Sequence, residues 1–226
     1  MYNEKCKQRF NTYILKFDPL SAGCSSLNKT QKGAIIGTAS GTAMGAVIGK
    51  ATGNTALGAI IGAAVGGTAG ALIGNKMDKQ AEEIKKSVPD AKVIRVGEGI
   101  VVEFSSSILF GFDKSNLSDP AKVNLDKLVN ILKEYPDTNI EVQGHTDSKG
   151  TESYNQTLSE QRAMTVSVYL MEAGVSNDRL KINGFGELLP KYINTTEEGR
   201  VLNRRVEFLI SASEKMKEDA EKQASN

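Results

Sequence analysis

The chain has 226 residues and contains little of several residue types that mark common classes of protein. It has no tryptophan, one histidine and two cysteines, Cys6 and Cys24. One histidine and two cysteines fall short of the usual tetrahedral ligand set of structural zinc, so we expect no metal centre and no other cofactor. A disulfide between the two cysteines stays open on sequence grounds. The formal net charge is +1, so bulk charge gives no reason to expect binding to nucleic acid.

Composition changes sharply along the chain. Residues 33–74 are almost entirely Gly, Ala, Ile, Val, Leu and Thr, residues 100–211 have an ordinary globular mixture, and the tail after Ser213 is charged and helix-favouring. We therefore predict five segments: a leader at 1–32, a glycine-rich hairpin at 33–74, a helical linker at 75–92, a globular domain at 93–212 and a charged tail at 213–226.

Glycines recur at every fourth position in two arms of the glycine-rich segment. The first arm runs from Gly33 to Gly53, and the second, from Gly58 to Gly74, repeats the motifs of the first. A period of four places the glycines on one helical face, where two backbones can approach closely. With Asn54-Thr55 as the turn, the pattern predicts a helical hairpin.

Two environments fit this glycine zipper. Each arm is long enough to cross a hydrocarbon core of about 30 Å, and the only charge in the segment is Lys50, near the turn. However, Ala, Gly and Thr outnumber Ile and Leu, so a hairpin that associates in water through its glycine face fits as well. A membrane hairpin would cross twice and return the chain to the side on which it started.

From residue 93 onward, the hydrophobic period indicates alternating strands and helices. We predict helices at 120–134, with Ser118 or Asp119 as N-cap, and at 159–173, with Ser159 as N-cap. Alternating apolar residues predict the strands at 93–96, 100–104, 140–144, 180–184 and 205–210. This order predicts an α/β (α+β) sandwich with helices on one face of a mixed sheet.

The leader contains Leu20-Ser21-Ala22-Gly23-Cys24, which resembles a bacterial lipobox, in which small residues precede a cysteine that becomes lipidated. The resemblance implies lipidation at Cys24 and attachment to membrane lipid. The leucine lies one place further from the cysteine than in the usual pattern, and no long apolar run precedes it. The alternative is a leader with a free thiol.

Short motifs spread over the globular segment follow one another in a recognisable order. They are Phe112-Asp113, Gly144-His145-Thr146-Asp147, Gly150, Asn155, Leu158-Ser159, Arg162-Ala163, Val166, Gly174, Gly184-Phe185-Gly186, Pro190, Gly199-Arg200 and Asn203-Arg204-Arg205-Val206-Glu207. This set resembles the OmpA-like peptidoglycan-binding domain family. With Cys24 and the glycine zipper, the layout is similar to a bacterial outer-membrane lipoprotein of the YiaD type.

The resemblance implies that the domain binds the diaminopimelate residue of the peptidoglycan stem peptide. Asp147 would accept hydrogen bonds from the ligand's ammonium, and Arg162 would hold its carboxylate through two parallel N–H bonds. Arg162 is expected in the first turn of its helix, where the helix dipole favours an anion. Asn155 and Leu158 would shape the pocket. Asp113 is a further candidate, although its loop is shorter than is common in the family.

Simpler interpretations of these residues exist. Asp147 and Arg162 could form an ion pair with each other, which is worth only about 0–1 kcal/mol when exposed. His145 has no neighbouring nucleophile motif or metal-ligand partner, so we expect a hydrogen bonder at a strand end and no enzymatic activity. Arg204 and Arg205 are expected to be structural partners of carboxylates or carbonyls at the end of the sheet.

These expectations favour a non-enzymatic tether in the bacterial outer membrane, facing the periplasm, that links the membrane to the cell wall. The alternative is a glycine-zipper protein that inserts into a membrane or oligomerises, for example to form a pore, and whose wall-binding domain serves only to position it. In either case the zipper could form a homo-oligomer. A stator-like role would need a carboxylate in an apolar helix, and residues 33–74 contain no Asp or Glu.

Overall fold

The computed structural model describes residues 67–111 and 114–225, which form one sheet and its flanking helices. The strands are β1 (Lys92–Val96), β2 (Gly99–Ser105), β3 (Thr138–His145), β4 (Leu180–Gly184) and β5 (Arg205–Ala212). The helices are α1 (Gly67–Ser87), α2 (Ser106–Leu109), α3 (Asp119–Glu134), α4 (Glu152–Glu172), α5 (Glu197–Asn203) and α6 (Glu214–Ala224). A short 3-10 turn, Asn177–Arg179, precedes β4.

The sheet has the strand order β1-β2-β5-β3-β4. Neighbouring strands are antiparallel except β3 and β4, which run parallel. The predicted mixed sheet is therefore confirmed. The last strand, β5, lies between β2 and β3, and its first residue, Arg205, pairs in register with His145 at the end of β3. This pairing brings the segment before β5 next to the loop that follows β3.

One face of the sheet carries the hydrophobic core. Alternate strand residues contribute Ile100, Val102, Phe104, Ile140, Val142, Val206, Phe208 and Ile210, and the helices contribute Ile73, Met77, Ile84, Leu125, Leu128, Leu132, Val166 and Leu170. Burial of this apolar surface is the main stabilising term of the fold. The apolar face of helix α1, which includes Met77 and Ile84, is part of this core.

The opposite face carries buried charges. The Lys191 ammonium lies 2.7 Å from Glu103 Oε2 and 2.8 Å from Glu207 Oε1. Arg205 Nε donates to Glu207 Oε1, and Arg205 Nη2 donates to the Leu189 carbonyl at 3.1 Å. Two cations therefore balance two carboxylates, and together they hold the segment between β4 and α5 on the sheet.

The predicted start of the second helix at Ser159 is wrong. Helix α4 begins two turns earlier, where the Thr151 side chain accepts a hydrogen bond from the Tyr154 N–H at 3.2 Å. The Ser159 hydroxyl donates to the Gln156 carbonyl and accepts from the Gly186 N–H. Arg162 is consequently in the third turn of α4, so the dipole argument for an anion at its position does not apply.

Several predictions concern residues outside the described part of the chain. They are lipidation at Cys24, the hairpin up to residue 66 and the role of Asp113. Over the described ranges, none of the helices combines the length and the apolar content that a membrane crossing requires.

Replacing Lys191 with methionine tests the buried charges. The change Lys191→Met leaves two carboxylates without their shared cation in a site where Lys191 is only 11% exposed. We expect a loss of about 3–5 kcal/mol in the free energy of unfolding, measured by urea denaturation. The control is Lys181→Met on the same face, whose ammonium pairs with Glu141 but is 66% exposed, and which should cost less than about 1 kcal/mol. Equal losses in the two variants would contradict this account.

Candidate functional site

A cleft of about 460 Å³ opens between the end of β3, helix α4 and the segment that leads into β5. It is lined by Ser106, Ser107, Phe110, Gly111, Thr146, Asp147, Lys149, Tyr154, Asn155, Leu158, Arg162, Glu197 and Arg204. The structure thus brings four of the predicted site residues, Asp147, Asn155, Leu158 and Arg162, to one cavity. Asp113 lies outside the described residues.

Asp147 is held in the loop that follows β3 and is 5% exposed. Its Oδ1 accepts a hydrogen bond from the Lys149 N–H at 2.9 Å, and its Oδ2 accepts one from Arg204 Nη1. A carboxylate has about four acceptor positions, so these two bonds orient Asp147 and leave acceptor capacity.

Arg162 projects from α4 and is 4% exposed. Its guanidinium carbon lies 5.3 Å from the centroid of the Phe110 ring, and its Nε donates to the Lys114 carbonyl at 3.1 Å. The ring contact and the hydrogen bond fix the plane of the guanidinium. A fixed planar guanidinium suits a carboxylate that binds through two parallel hydrogen bonds.

Asn155 connects the loop after β3 to helix α4. Its amide nitrogen donates to the Asp147 carbonyl at 3.2 Å and to the Lys149 carbonyl at 3.1 Å, and it also contacts Glu187 Oε2. The side chain is 2% exposed. Asn155 therefore fixes the position of Asp147, in addition to lining the cleft.

Glycine at position 144 allows β3 to approach α4 closely. A Cβ atom added to Gly144 would lie 2.1 Å from the Ser159 carbonyl oxygen, which belongs to the helix backbone. Gly184, which pairs with Gly144 on β4, shows the same restriction, with a Cβ position 2.6 Å from the Glu160 nitrogen. This approach sets the separation between the loop that bears Asp147 and the helix that bears Arg162.

Arg204 and Glu197 also line the cleft, although they were not predicted from the sequence as site residues. Arg204 Nη2 donates to Glu197 Oε1 at 3.3 Å, while its Nη1 contacts Asp147. Hydrogen bonds from Arg200, and then from Arg204 and Lys149, lower the pKa of Glu197 to about 2, so this carboxyl is ionised at neutral pH. Arg204 was expected to be a structural partner, and its pairing with Asp147 follows from the strand order, which the sequence does not display.

The described lining therefore carries charges of both signs. Asp147 and Glu197 are anionic, and Lys149, Arg162 and Arg204 are cationic. A cleft with fixed charges of both signs suits a ligand that presents an ammonium and a carboxylate close together.

His145 is buried beside the cleft but is not among its lining residues. Burial, reinforced by the charge of Arg205, lowers the pKa of His145 to about 3, so the imidazole is neutral at physiological pH. Its ring stacks on Phe185, with centroids 5.5 Å apart. Neither ring nitrogen has a hydrogen-bond partner within the described residues. The prediction that His145 makes a hydrogen bond at the end of its strand is therefore wrong for this part of the chain.

Replacing Gly144 with alanine tests the close approach. Because the new methyl group would meet a backbone oxygen, the strand and helix must move apart, and Gly144→Ala should cost about 3 kcal/mol in the free energy of unfolding. Gly74→Ala is the matched control, since an added Cβ there meets no atom within 4 Å and alanine favours the helix. Thermal or urea unfolding measures both, and a neutral Gly144→Ala would contradict the geometry.

The pKa of His145 predicts how stability depends on pH. The folded protein keeps His145 neutral down to about pH 3, whereas the unfolded chain protonates it below about pH 6.5. Stability is therefore complete above pH 6.5 and is lost as the pH falls towards 3, by up to about 1.4 kcal/mol per pH unit.

The variant His145→Gln should flatten this dependence between pH 6.5 and 4.5. Below that range, Glu207 adds its own contribution. Burial opposes the ionisation of Glu207, but the charges of Arg205, His145 and Lys191 outweigh it and lower its pKa to about 2. Urea unfolding at a series of pH values measures the slope, and an unchanged slope in the variant would show that His145 is not its source.

Two family models match the chain. The OmpA family matches residues 109–204, and the YMGG-like Gly-zipper matches residues 7–78. The first match contains every described residue of the cleft except Ser106 and Ser107.

Similar proteins include bacterial lipoproteins. The chain is 33% identical to "Probable lipoprotein YiaD" of Escherichia coli over 144 residues, 63% of this chain and 66% of that protein. It is 36% identical to "Outer-membrane lipoprotein YfiB" of Pseudomonas aeruginosa over 115 residues, 51% of this chain and 68% of that protein. The predicted resemblance to the OmpA-like domain and to YiaD-type lipoproteins is confirmed.

Other relatives match over a smaller part of their length. The chain is 38% identical to "Peptidoglycan-binding protein ArfA" of Mycobacterium tuberculosis over 104 residues, 46% of this chain and 32% of that protein. It also spans about a third of the length of "Outer membrane porin F" of Pseudomonas aeruginosa, with 43% identity over 116 residues, 51% of this chain.

A solved structure shares the fold. It is the crystal structure of a protein described as MotB-like, from Desulfovibrio vulgaris, with a TM-score of 0.58 and 25% identity. The similarity covers 63% of this chain and 94% of that chain.

Proposed function

The chain belongs to the OmpA family, and from this premise we propose that its globular domain binds peptidoglycan non-covalently, through the diaminopimelate residue of the stem peptide. The observation that carries the proposal is the pair of buried, oriented groups in one cleft, Asp147 and Arg162. ArfA, a relative with 38% identity in this region, is named as a peptidoglycan-binding protein, which supports the same ligand.

Each group would recognise one end of the ligand's zwitterionic centre. The ligand's ammonium would donate to Asp147, which already accepts from the Lys149 N–H and from Arg204 and has further acceptor capacity. The ligand's carboxylate would bind the guanidinium of Arg162. Both contacts would form away from bulk water, where charge-assisted hydrogen bonds are stronger than at an exposed surface.

This chemistry predicts a preference for diaminopimelate over lysine in the stem peptide. Both residues can present a side-chain ammonium, but lysine has no carboxylate at that end. A lysine-type peptide would therefore present no carboxylate to the planar guanidinium of Arg162, which disfavours binding.

The remaining residues of the cleft would support these contacts. Asn155 would keep the loop of Asp147 against α4, and Leu158 would supply an apolar wall for the ligand's methylene groups. Arg204, which Glu197 holds in place, would keep the carboxylate of Asp147 oriented. The chain's single histidine is not among the lining residues of the cleft, and we propose no catalytic step.

At the level of the whole chain, we propose a tether between the outer membrane and the cell wall. YiaD and YfiB are both named as lipoproteins, and YfiB is placed in the outer membrane, which supports a location there with the globular domain in the periplasm. Lipid at Cys24 would provide the membrane attachment. The match to a Gly-zipper family over residues 7–78 supports self-association through the glycine zipper.

Co-sedimentation of the full chain with purified sacculi tests the proposed site. The variants are Asp147→Asn, which removes the charge, and Arg162→Lys, which keeps the charge but loses the planar fork. Each should weaken binding about 10- to 100-fold, since a charge-assisted hydrogen bond contributes about 1.5–3 kcal/mol. Sacculi with lysine in place of diaminopimelate should retain the wild type as poorly as the variants.

The controls are Glu172→Gln and Lys127→Ala, on exposed positions of α4 and α3. Glu172→Gln removes one negative charge, as Asp147→Asn does, and Lys127→Ala removes a positive charge that Arg162→Lys keeps. Both controls should bind like the wild type. Equal retention of all variants on diaminopimelate sacculi would exclude Asp147 and Arg162 as the site, provided that circular dichroism shows each variant to be folded.

A further inference from the structure

Helix α1 connects the glycine zipper directly to the globular domain. It is continuous from Gly67 to Ser87, so residues 67–74, the last part of the second glycine arm, form its first two turns. The match to the Gly-zipper family extends to residue 78 and so includes these turns.

The first turns of α1 belong to the core of the domain. Ala69 is 5% exposed, and Ile73 and Met77 are fully buried. They share one hydrophobic cluster with residues of β2, β5 and α3, and Leu72 packs against the same cluster. The side chains that a membrane-spanning arm would turn towards lipid are therefore packed against protein.

Arg95 on β1 holds this end of the helix through polar contacts. Its Nε lies 2.8 Å from Asp78 Oδ1, and its Nη2 donates to the Gly74 carbonyl at 3.4 Å. Its Nη1 donates to the carbonyls of Gly97 and Gly99 in the turn between β1 and β2. The guanidinium thus joins helix α1 to the first hairpin of the sheet.

Chain length then limits what the second arm can do. Between the predicted turn at Asn54-Thr55 and the start of α1 there are eleven residues, 56–66. Even as a regular helix they would extend only about 17 Å, against the roughly 30 Å of a hydrocarbon core.

We infer that the second glycine-rich arm does not cross a bilayer in the folded protein, and that its last two turns are instead a docking helix of the globular domain. A hairpin that crosses the membrane twice is incompatible with this packing. This inference does not depend on peptidoglycan binding.

Two neighbouring residues distinguish the docked helix from a spanning arm. Ile73 is fully buried in the core, whereas an added Cβ at Gly74 meets no atom within 4 Å. Docking therefore needs the side chain of Ile73 and tolerates one at Gly74. A hairpin packed through its glycine face in a membrane would need glycine at position 74, because a large side chain there would separate the helices, and would tolerate a smaller side chain at position 73.

The test compares Ile73→Ala with Gly74→Leu in the full chain, reconstituted in vesicles of phosphatidylethanolamine and phosphatidylglycerol. For a docked helix, Ile73→Ala should lower the Tm of the globular domain by about 5–15 °C, and Gly74→Leu should leave it unchanged or slightly raised. A Tm that falls in Gly74→Leu and not in Ile73→Ala would overturn the inference.

Chemical labelling gives a second readout in the same vesicles. Thr68 is exposed on the first turn of α1. In the variant Thr68→Cys, a membrane-impermeant maleimide added to the side of the globular domain should react at residue 68 as fast as with Glu172→Cys on the exposed face of α4. Peptide mass spectrometry separates these sites from Cys6 and Cys24. Protection of residue 68 that detergent removes would place the arm in the bilayer and overturn the inference.

Discussion

The cleft depends on the close approach of β3 to α4 at Gly144. A side chain as small as a methyl group at this position would meet the carbonyl oxygen of Ser159, so only glycine permits the observed separation. That separation places the loop after β3, which bears Asp147, beside the helix that bears Arg162. Asn155 then fixes the loop through hydrogen bonds to two of its carbonyls. The geometry of the two charged groups is thus set by backbone packing and needs no direct bond between them.

Buried charges on the face of the sheet opposite the hydrophobic core hold two of the residues that line the cleft in position. Lys191 and Arg205 share the carboxylate of Glu207, and this cluster holds the segment that leads into α5. Helix α5 carries Glu197 at its start and is followed by Arg204, both of which line the cleft. Because removal of one member of a buried ion pair leaves its partner uncompensated, a change at Lys191 acts on stability first. The same change would also alter ligand binding if it displaced Arg204, which follows α5 and contacts Asp147.

The sequence predicted the parts of the fold that have a strong local signal. Alternating apolar residues located all five strands, and Ser118 as N-cap located α3. The start of α4 was missed because its first two turns, from Glu152 to Leu158, carry few apolar residues and face the loop of Asp147. Arg204 was expected to be a structural partner of a carboxylate at the end of the sheet, and it pairs with Asp147 there. Its place in the lining of the cleft was not predicted, because it arises from the insertion of β5 between β2 and β3, which no local pattern encodes. Asp147 and Arg162 were found through family motifs, which record tertiary proximity that spacing alone does not.

The packing of α1 determines how a tether built on this chain would carry load. Force applied at Gly67 passes into the core through Ile73 and Met77, and into the first hairpin through Arg95. From there it reaches Asp147 through β2, β5 and β3, which are paired along their lengths. A tether built on this chain would therefore transmit load through the packed first turns of α1 and the paired strands of the sheet.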